Sequence, residues 1–522
     1  MKKISKSIIR IILSLVMLLV VCVPAFATEP KTAFIVVSGM NTFPLIYEDG
    51  EQAFPPSSDT ITEMVFKIVP HVLSFLVTND YDALGDGIFP PLYDAFGPLA
   101  FDENGDSIEN INGTLFDCSL VEHADKFITG VSSESGTVRA GIEEFGIENT
   151  YFFNYDWRRD PLVHADRLND FIQMVKEQGD YDRIALAAFS MGGTVTCSYL
   201  YKYGSADLDA IILCSTAFQG TSCVGSLFSG DFDLTLSALW HRLALMTGDN
   251  TWENVIDYLD VILKEAGVNN FLESFANGIT DNLMKRIYDE LLIPVFGHMP
   301  GLWALVPDMN YTDAKATMLN GTESQKLVDR IDEYHYNVQN NAENLLKAAM
   351  DNGTTVYLLA QYNWPSLPIS EYVSERNTDN LIDVEYASGG AYSALICETL
   401  GEDYVQKVES EHDHVSPDLM IDASTCMLPD QTWFFRGMGH VDYPYGESTD
   451  FIMYLARSEE QITVFDNEQY PQFLTYDYDN AKLMPLTEEA VAQTTADIIF
   501  DILEKITHAI FSITKVVFAN FI

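Results

Sequence analysis

Ser190 lies in Ala188-Phe189-Ser190-Met191-Gly192-Gly193, between an apolar run, RIALAAF, and a segment of helical spacing, GGTVTCSYLYKYG. A serine at a sharp strand-to-helix turn is held with its hydroxyl at the strand's C-terminal end, and the flanking positions must be small. Ala188 and Gly192 satisfy that demand, with Ala188 where glycine is commoner. The bend also leaves the Met191 N–H free to stabilise an oxyanion. A hydroxyl nucleophile needs a base to take its proton and a carboxylate to orient the base.

His440, in Gly437-Met438-Gly439-His440 directly after the apolar run TWFFRG, is the candidate base. The carboxylate belongs after TVYLLAQ and before TWFFRG, and two positions fit. Asp418 in SPDLMID stands 22 residues before His440, room for one short helix and one strand, and is the first choice. Asp379 in TDNLID stands 61 residues before it, nearer the preceding strand, and is the alternate; Asp413 comes third. A second oxyanion donor is expected from Val37-Ser38-Gly39-Met40-Asn41 after the first strand, with Gly39 permitting the turn and Met40 donating. This chemistry requires no cofactor. His412 and His414, two apart, could share one face of a strand as zinc ligands do, but no third ligand follows at telling spacing, and a polar loop is the preferred reading.

Six apolar runs must position these groups: 32–39, 150–157, 183–190, 210–216, 355–361 and 432–437. Runs apolar on both faces, alternating with helical patterns such as RDPLVHADRLNDFIQMVKEQ, fit a mostly parallel sheet covered by helices on both sides. With the serine turn, the expected class is α/β, in the α/β-hydrolase fold. Between Cys214 and Thr355 the rhythm gives way to successive helical segments, expected to be a cap or lid. The apolar content of Leu236, Leu239, Trp240, Leu243, Leu245 and Met246 favours a lid. The expected organisation is a signal peptide at 1–27, core at 28–220, helical cap at 221–350, core at 351–480 and an amphipathic helical segment at 481–522.

The N-terminus has a basic start (MKKISKSIIR), an apolar stretch (IILSLVMLLVVCVP) and small residues at Ala25-Phe26-Ala27, the pattern of a cleaved secretory signal. Val21 before Cys22 disfavours lipid attachment. Losing Lys2, Lys3, Lys6 and Arg10 takes the formal charge from −48 to −52. Such a field repels nucleic acid and anionic headgroups. Six cysteines remain, Cys118, Cys197, Cys214, Cys223, Cys397 and Cys426, and their spacing selects no pairing; Cys197 and Cys214 fall in core elements. The C-terminal TADIIFDILEKITHAIFSITKVVFANFI carries Asp501, Glu504, His508 and Lys515, too much charge for a span. It fits a helix docked on its own core better than one lying on a membrane surface, although contact with a membrane through it or the cap is open.

Asn154-Tyr155-Asp156-Trp157-Arg158-Arg159-Asp160-Pro161, a helix, and then the serine turn resemble the lecithin:cholesterol acyltransferase-like hydrolases. Ala217-Phe218-Gln219-Gly220-Thr221 and, within the cap, Met299-Pro300-Gly301-Leu302-Trp303-Ala304-Leu305-Val306-Pro307 are similar too, and SPDLMID to GMGH is similar to the acid–histidine segment of small bacterial lipases. The resemblance spans roughly residues 32–445 and implies lipase, phospholipase or esterase chemistry, with acyl transfer in some members. It implies Ser190, His440 and one aspartate as the triad, with Asp156, Trp157 and Arg158 building the structure beneath. Ser38 stands where many relatives carry histidine. An amidase or acyltransferase with the same triad, or an idle scaffold that binds a surface, would share these residues.

Overall fold

The computed structural model describes residues 30–123, 126–127, 134–232, 278, 282–319, 321, 323–489 and 491. The expected signal peptide, the most apolar part of the expected lid and the C-terminal 492–522 segment lie outside the described residues.

Eight strands form the central sheet: β1 (Thr32–Val37), β2 (Thr150–Phe153), β3 (Arg183–Phe189), β4 (Ala210–Cys214), β5 (Thr355–Tyr362), β6 (Thr432–Arg436), β7 (Phe473–Asp477) and β8 (Lys482–Pro485). Their order is β8-β7-β6-β5-β4-β3-β1-β2, with every neighbouring pair parallel except β7 and β8. Alternation sorts each strand's side chains to two faces. In β1, Ala33, Ile35 and Val37 join one core while Phe34 and Val36 join the other. Helices α4 (Pro161–Gln178) and α5 (Gly192–Tyr203) cover the first face through Leu168, Ile172, Val195 and Tyr199. Helices α3 (Ser135–Phe145) and α10 (Glu447–Arg457) cover the second through Val138, Phe451 and Leu455. This is the α/β-hydrolase fold, reached because strands buried on both faces need a helical layer on each.

All six strands expected from apolar runs are present; β7 and β8 were not anticipated. Strand β8 falls inside the segment expected to be helical from 481, so the core's second part extends to Pro485. The cap boundary also shifts. The last part of the expected cap is three helical pieces: α8 (Gln325–Tyr334), a π-helical turn over His335–Gln339, and α9 (Ala342–Asp351). Helix α9 packs on α5 and β5, with Leu346 and Ala349 in the core, so it covers the sheet rather than the site. Between β1 and α3, within the expected first core part, stand two further helices, α1 (Ser58–Thr78) and α2 (Tyr81–Phe96), packed on each other. The expected cap starts with α6 (Ser222–Ser229), and α7 (Asp308–Met318) packs against it.

Candidate active site

Ser190 follows β3 directly and has φ +50°, a left-handed backbone that a non-glycine residue adopts only where its surroundings enforce it. Its N–H donates to the Cys214 carbonyl at 3.2 Å, and its own carbonyl accepts from Ala217 at 3.0 Å. The turn is closely hemmed in. A Cβ on Gly192 would lie 2.8 Å from the Ser38 carbonyl oxygen, and one on Gly39 would lie 2.9 Å from Ser190 Cβ. Ala188 is fully buried and registered between Val37 and Leu213, where a methyl group is accommodated.

His440 stands four residues past the end of β6, on a loop that turns through left-handed Gly437 and Val441. Its Nε2 is 2.9 Å from Ser190 Oγ, and its Nδ1 is 2.7 Å from Asp379 Oδ2. An ionised carboxylate only accepts, so Nδ1 carries the proton and Nε2 is left to accept from the serine hydroxyl. Asp379 is wholly buried, and its Oδ1 accepts from the N–H groups of Leu381 at 3.0 Å and Ile382 at 2.7 Å. Beneath the site, Tyr443 contacts Ser215 Oγ through its hydroxyl at 3.1 Å, and burial holds that phenol well above its usual pKa.

Asp418, the first choice from the sequence, does not reach His440. Its Oδ2 accepts from Arg436 Nε at 3.0 Å and from the Tyr362 hydroxyl at 2.9 Å, and its Oδ1 from Ser416 Oγ at 2.6 Å. Arg436 and Tyr362 are register partners on β6 and β5, so Asp418 ties the ends of these strands together. Asp379 wins because β5 and β6 are adjacent in the sheet: a loop leaving β5 begins beside the β6 loop, whatever its separation along the chain. Its backbone bridges Trp364, two residues past β5. Asp413 is exposed and caps its own turn through Val415 N–H.

The loop after β1 lies against the nucleophile. Ser38 donates to Asn154 Oδ1 at 2.8 Å, and the Tyr155 hydroxyl donates to the Ser38 carbonyl at 3.1 Å. Burial, with the Glu134 charge second, raises the Tyr155 pKa far above its usual value, so this phenol remains a donor. Neither the Met40 nor the Met191 N–H is given to another acceptor among the described residues, as two oxyanion donors require. Sequence reasoning missed Glu134. It is 1% exposed, and its Oε1 accepts from Gly39 N–H at 3.1 Å and from Thr42 Oγ1 at 2.7 Å. No motif surrounds it, and its partners lie more than 90 residues away, so the chain offered no signal.

Asp156 and Arg158 are buried as a two-point ion pair, Nε to Oδ1 at 2.9 Å and Nη2 to Oδ2 at 2.7 Å. Arg158 also donates to the carbonyls of Leu99 and Ile111, and its own carbonyl accepts from Gly301. The Tyr-Asp-Trp-Arg segment thus joins β2 to the insertions around it. His412 stacks on Phe465 at 3.9 Å, while buried His414 contacts Gln472 at 2.9 Å through Nδ1. Among the described residues no group of three or more His, Cys, Asp or Glu is placed to hold a metal ion. Cys118, Cys197, Cys214, Cys223 and Cys426 are free thiols; Cys197 and Cys214 are buried, and burial pushes the Cys197 thiol up to about 12.

A family model described as "Serine aminopeptidase, S33" matches residues 161–262, a span that includes α4, β3, the serine turn, α5 and β4. No curated protein matches the chain. A solved structure, "The crystal structure of Tle4-Tli4 complex", is similar over 64% of this chain and 75% of that one, at 11% identity and a TM-score of 0.27, too low to specify a shared fold. The doubly covered parallel sheet and the match across the serine turn together place the chain in the α/β-hydrolase superfamily.

Proposed function

We propose that the chain is a serine hydrolase that cleaves carboxylic esters of lipid-like substrates, in the lecithin:cholesterol acyltransferase-like branch, and works outside the cytoplasm after losing residues 1–27. The observation that carries this reading is the relay of Ser190 Oγ, His440 and Asp379 through contacts of 2.9 and 2.7 Å. His440 Nε2 takes the hydroxyl proton as Ser190 attacks the carbonyl carbon, and Asp379 stabilises the imidazolium that forms. The oxyanion is received by the Met40 and Met191 N–H groups. His440 then protonates the departing alcohol, and water, activated by the same imidazole, releases the acid.

Support for a lipid-like substrate comes from α1. Ile61, Val65, Val69, Leu73 and Val77 recur every fourth residue and are 44–88% exposed, with Phe66 beside them at 75%. From Ile61 to Val77 this makes an apolar ladder about 24 Å long. The helix sits in the segment that leaves β1 through the loop holding Met40. An exposed apolar face of that size suits an uncharged lipid surface, since a strongly acidic chain is repelled by anionic headgroups.

The description of the matching family model favours a second reading, cleavage of peptide amides by the same triad. Fluorophosphonate labelling of the purified protein, abolished in Ser190→Ala, tests the nucleophile; a folded wild type that stays unlabelled would refute it. Turnover of matched acyl esters and aminoacyl amides then separates the two readings.

A further inference from the structure

Glu134 is a carboxylate withdrawn from water beside the nucleophile, and the serine relay does not use it. It occupies the N-cap position of α3, with its backbone carbonyl accepting from Val138. The glycine that its side chain grips also lies against Ser190. A Cβ built on Gly39 would lie 3.4 Å from Glu134 Oε1, 2.9 Å from Ser190 Cβ and 3.5 Å from Ser190 Oγ. Carboxylate and nucleophile therefore both crowd one residue. Glycine leaves room for both.

The loop from Ser38 to Thr42 has two faces, and each is pinned. On the sheet side Ser38 is held by the Phe153 carbonyl, Asn154 Oδ1 and the Tyr155 hydroxyl. On the other side one oxygen of Glu134 receives both the Gly39 N–H and the Thr42 hydroxyl, bracketing Met40 and Asn41. Without that oxygen the Gly39 N–H would be an unengaged donor beside the serine. It would then compete with Met40 for the oxyanion, and glycine's freedom would let the peptide between them rotate. Asn41, at φ +58°, already occupies a restricted conformation that depends on both ends being fixed.

We infer that Glu134 is the positioning residue of the oxyanion loop: it consumes the Gly39 N–H, anchors Thr42 and so commits the Met40 N–H to the developing oxyanion. This rests on the proposed role of Ser190. A buried acid near an oxyanion is electrostatically unfavourable, so its contribution lies in the geometry of its acceptor oxygen. Glutamine supplies the same acceptor without the charge.

The test uses the full chain, a soluble short-chain p-nitrophenyl ester and a fluorophosphonate. Glu134→Ala is expected to lower kcat by about 30-fold or more, somewhat less than the roughly 10²–10³-fold lost on removing an oxyanion donor outright, with KM within about twofold. Glu134→Gln should restore kcat to within about fivefold of wild type. Fluorophosphonate labelling rates should follow the same order, because the phosphoryl oxygen uses the same donors. A kcat in Glu134→Ala within threefold of wild type would overturn the inference. So would a loss confined to KM, or a glutamine variant as slow as alanine. Should Glu134→Ala fail to fold by near-ultraviolet circular dichroism, Thr42→Val removes half of the grip. It should cost about three- to tenfold in kcat at constant KM, and an unchanged kcat overturns the inference. Failure of the Ser190 assignment would show separately, as a wild type that is not labelled.

Discussion

Exchanging Asp379 and Asp418 in turn for asparagine separates the acid that serves His440 from the acid that holds two strands together. Asp379→Asn keeps Oδ1 available for the Leu381 and Ile382 N–H groups, so the local turn survives. The amide placed against His440 Nδ1 donates where the carboxylate accepted, which drives the proton to Nε2 and leaves that nitrogen unable to accept from Ser190. A wrong tautomer of this kind costs about 10⁴ in kcat, near 5.5 kcal/mol of transition-state stabilisation. Asp418→Asn has the opposite signature. Its side chain and that of Arg436 are 2% and 13% exposed, so breaking the pair strands a mostly buried guanidinium at a cost of about 3–5 kcal/mol in stability. Turnover of the folded protein should stay within about tenfold of wild type, since Asp418 reaches the site only through β6. Ester hydrolysis at a temperature where all three proteins are folded, beside thermal unfolding of each, reads both effects. If Asp379→Asn kept more than a tenth of the activity, or Asp418→Asn lost as much as Asp379→Asn while folded, the assignment would be wrong.

Asp160 caps α4 through Leu162 N–H, and burial raises its carboxyl from 3.8 to about 6. A raised folded-state pKa means the folded form binds the extra proton: stability is fully present below pH 3.8 and is lost as pH rises through 6. That loss is on the order of 3 kcal/mol. Asp160→Asn, which still caps, should therefore raise the melting temperature at pH 8 and leave it nearly unchanged at pH 4; an equal gain at both would contradict the burial account. On α1, Leu73→Asp with Val77→Asp should cut hydrolysis of esters in uncharged vesicles by about tenfold or more, while a soluble short-chain ester is turned over as before. Equal losses on both substrates would remove the lipid-surface role of that helix.

The parts of this molecule that could be read from its residues are those whose signal is local. Strands such as TAFIVV and AIILC are apolar on both faces because each face meets a helical layer, and that demand is written in consecutive residues. The serine turn is likewise local, a matter of which neighbours lack bulk. His440 was legible because its loop follows an apolar strand at once. Strands β7 and β8 escaped because FLTYD and KLMP are short and carry polar residues at the sheet's edge. Asp418 misled because chain distance to His440 stood in for distance in space, whereas sheet order is set by all the crossovers together. Glu134 was invisible for the same reason in a stronger form: its value depends wholly on which glycine the fold delivers to it.

Among the described residues three buried acids are paired with arginine, and Asp379 is not. Asp156 faces Arg158, Asp383 faces Arg376 and Asp418 faces Arg436; each carboxylate is neutralised by a guanidinium and works as a structural tie. Asp379 has no lysine or arginine in ion-pair range among the described residues; its charge is held by two backbone N–H groups and turned on His440. The difference matters for chemistry. When Ser190 gives up its proton, the new positive charge on the imidazole must find an anion that is not already spent on a cation, and a carboxylate paired with arginine offers a much weaker field. Backbone amides fix the carboxylate in place without cancelling its charge. An arginine introduced beside Asp379 should thus impair turnover even with every triad atom in position. For an acidic chain like this one, the productive question for each buried carboxylate is what neutralises it.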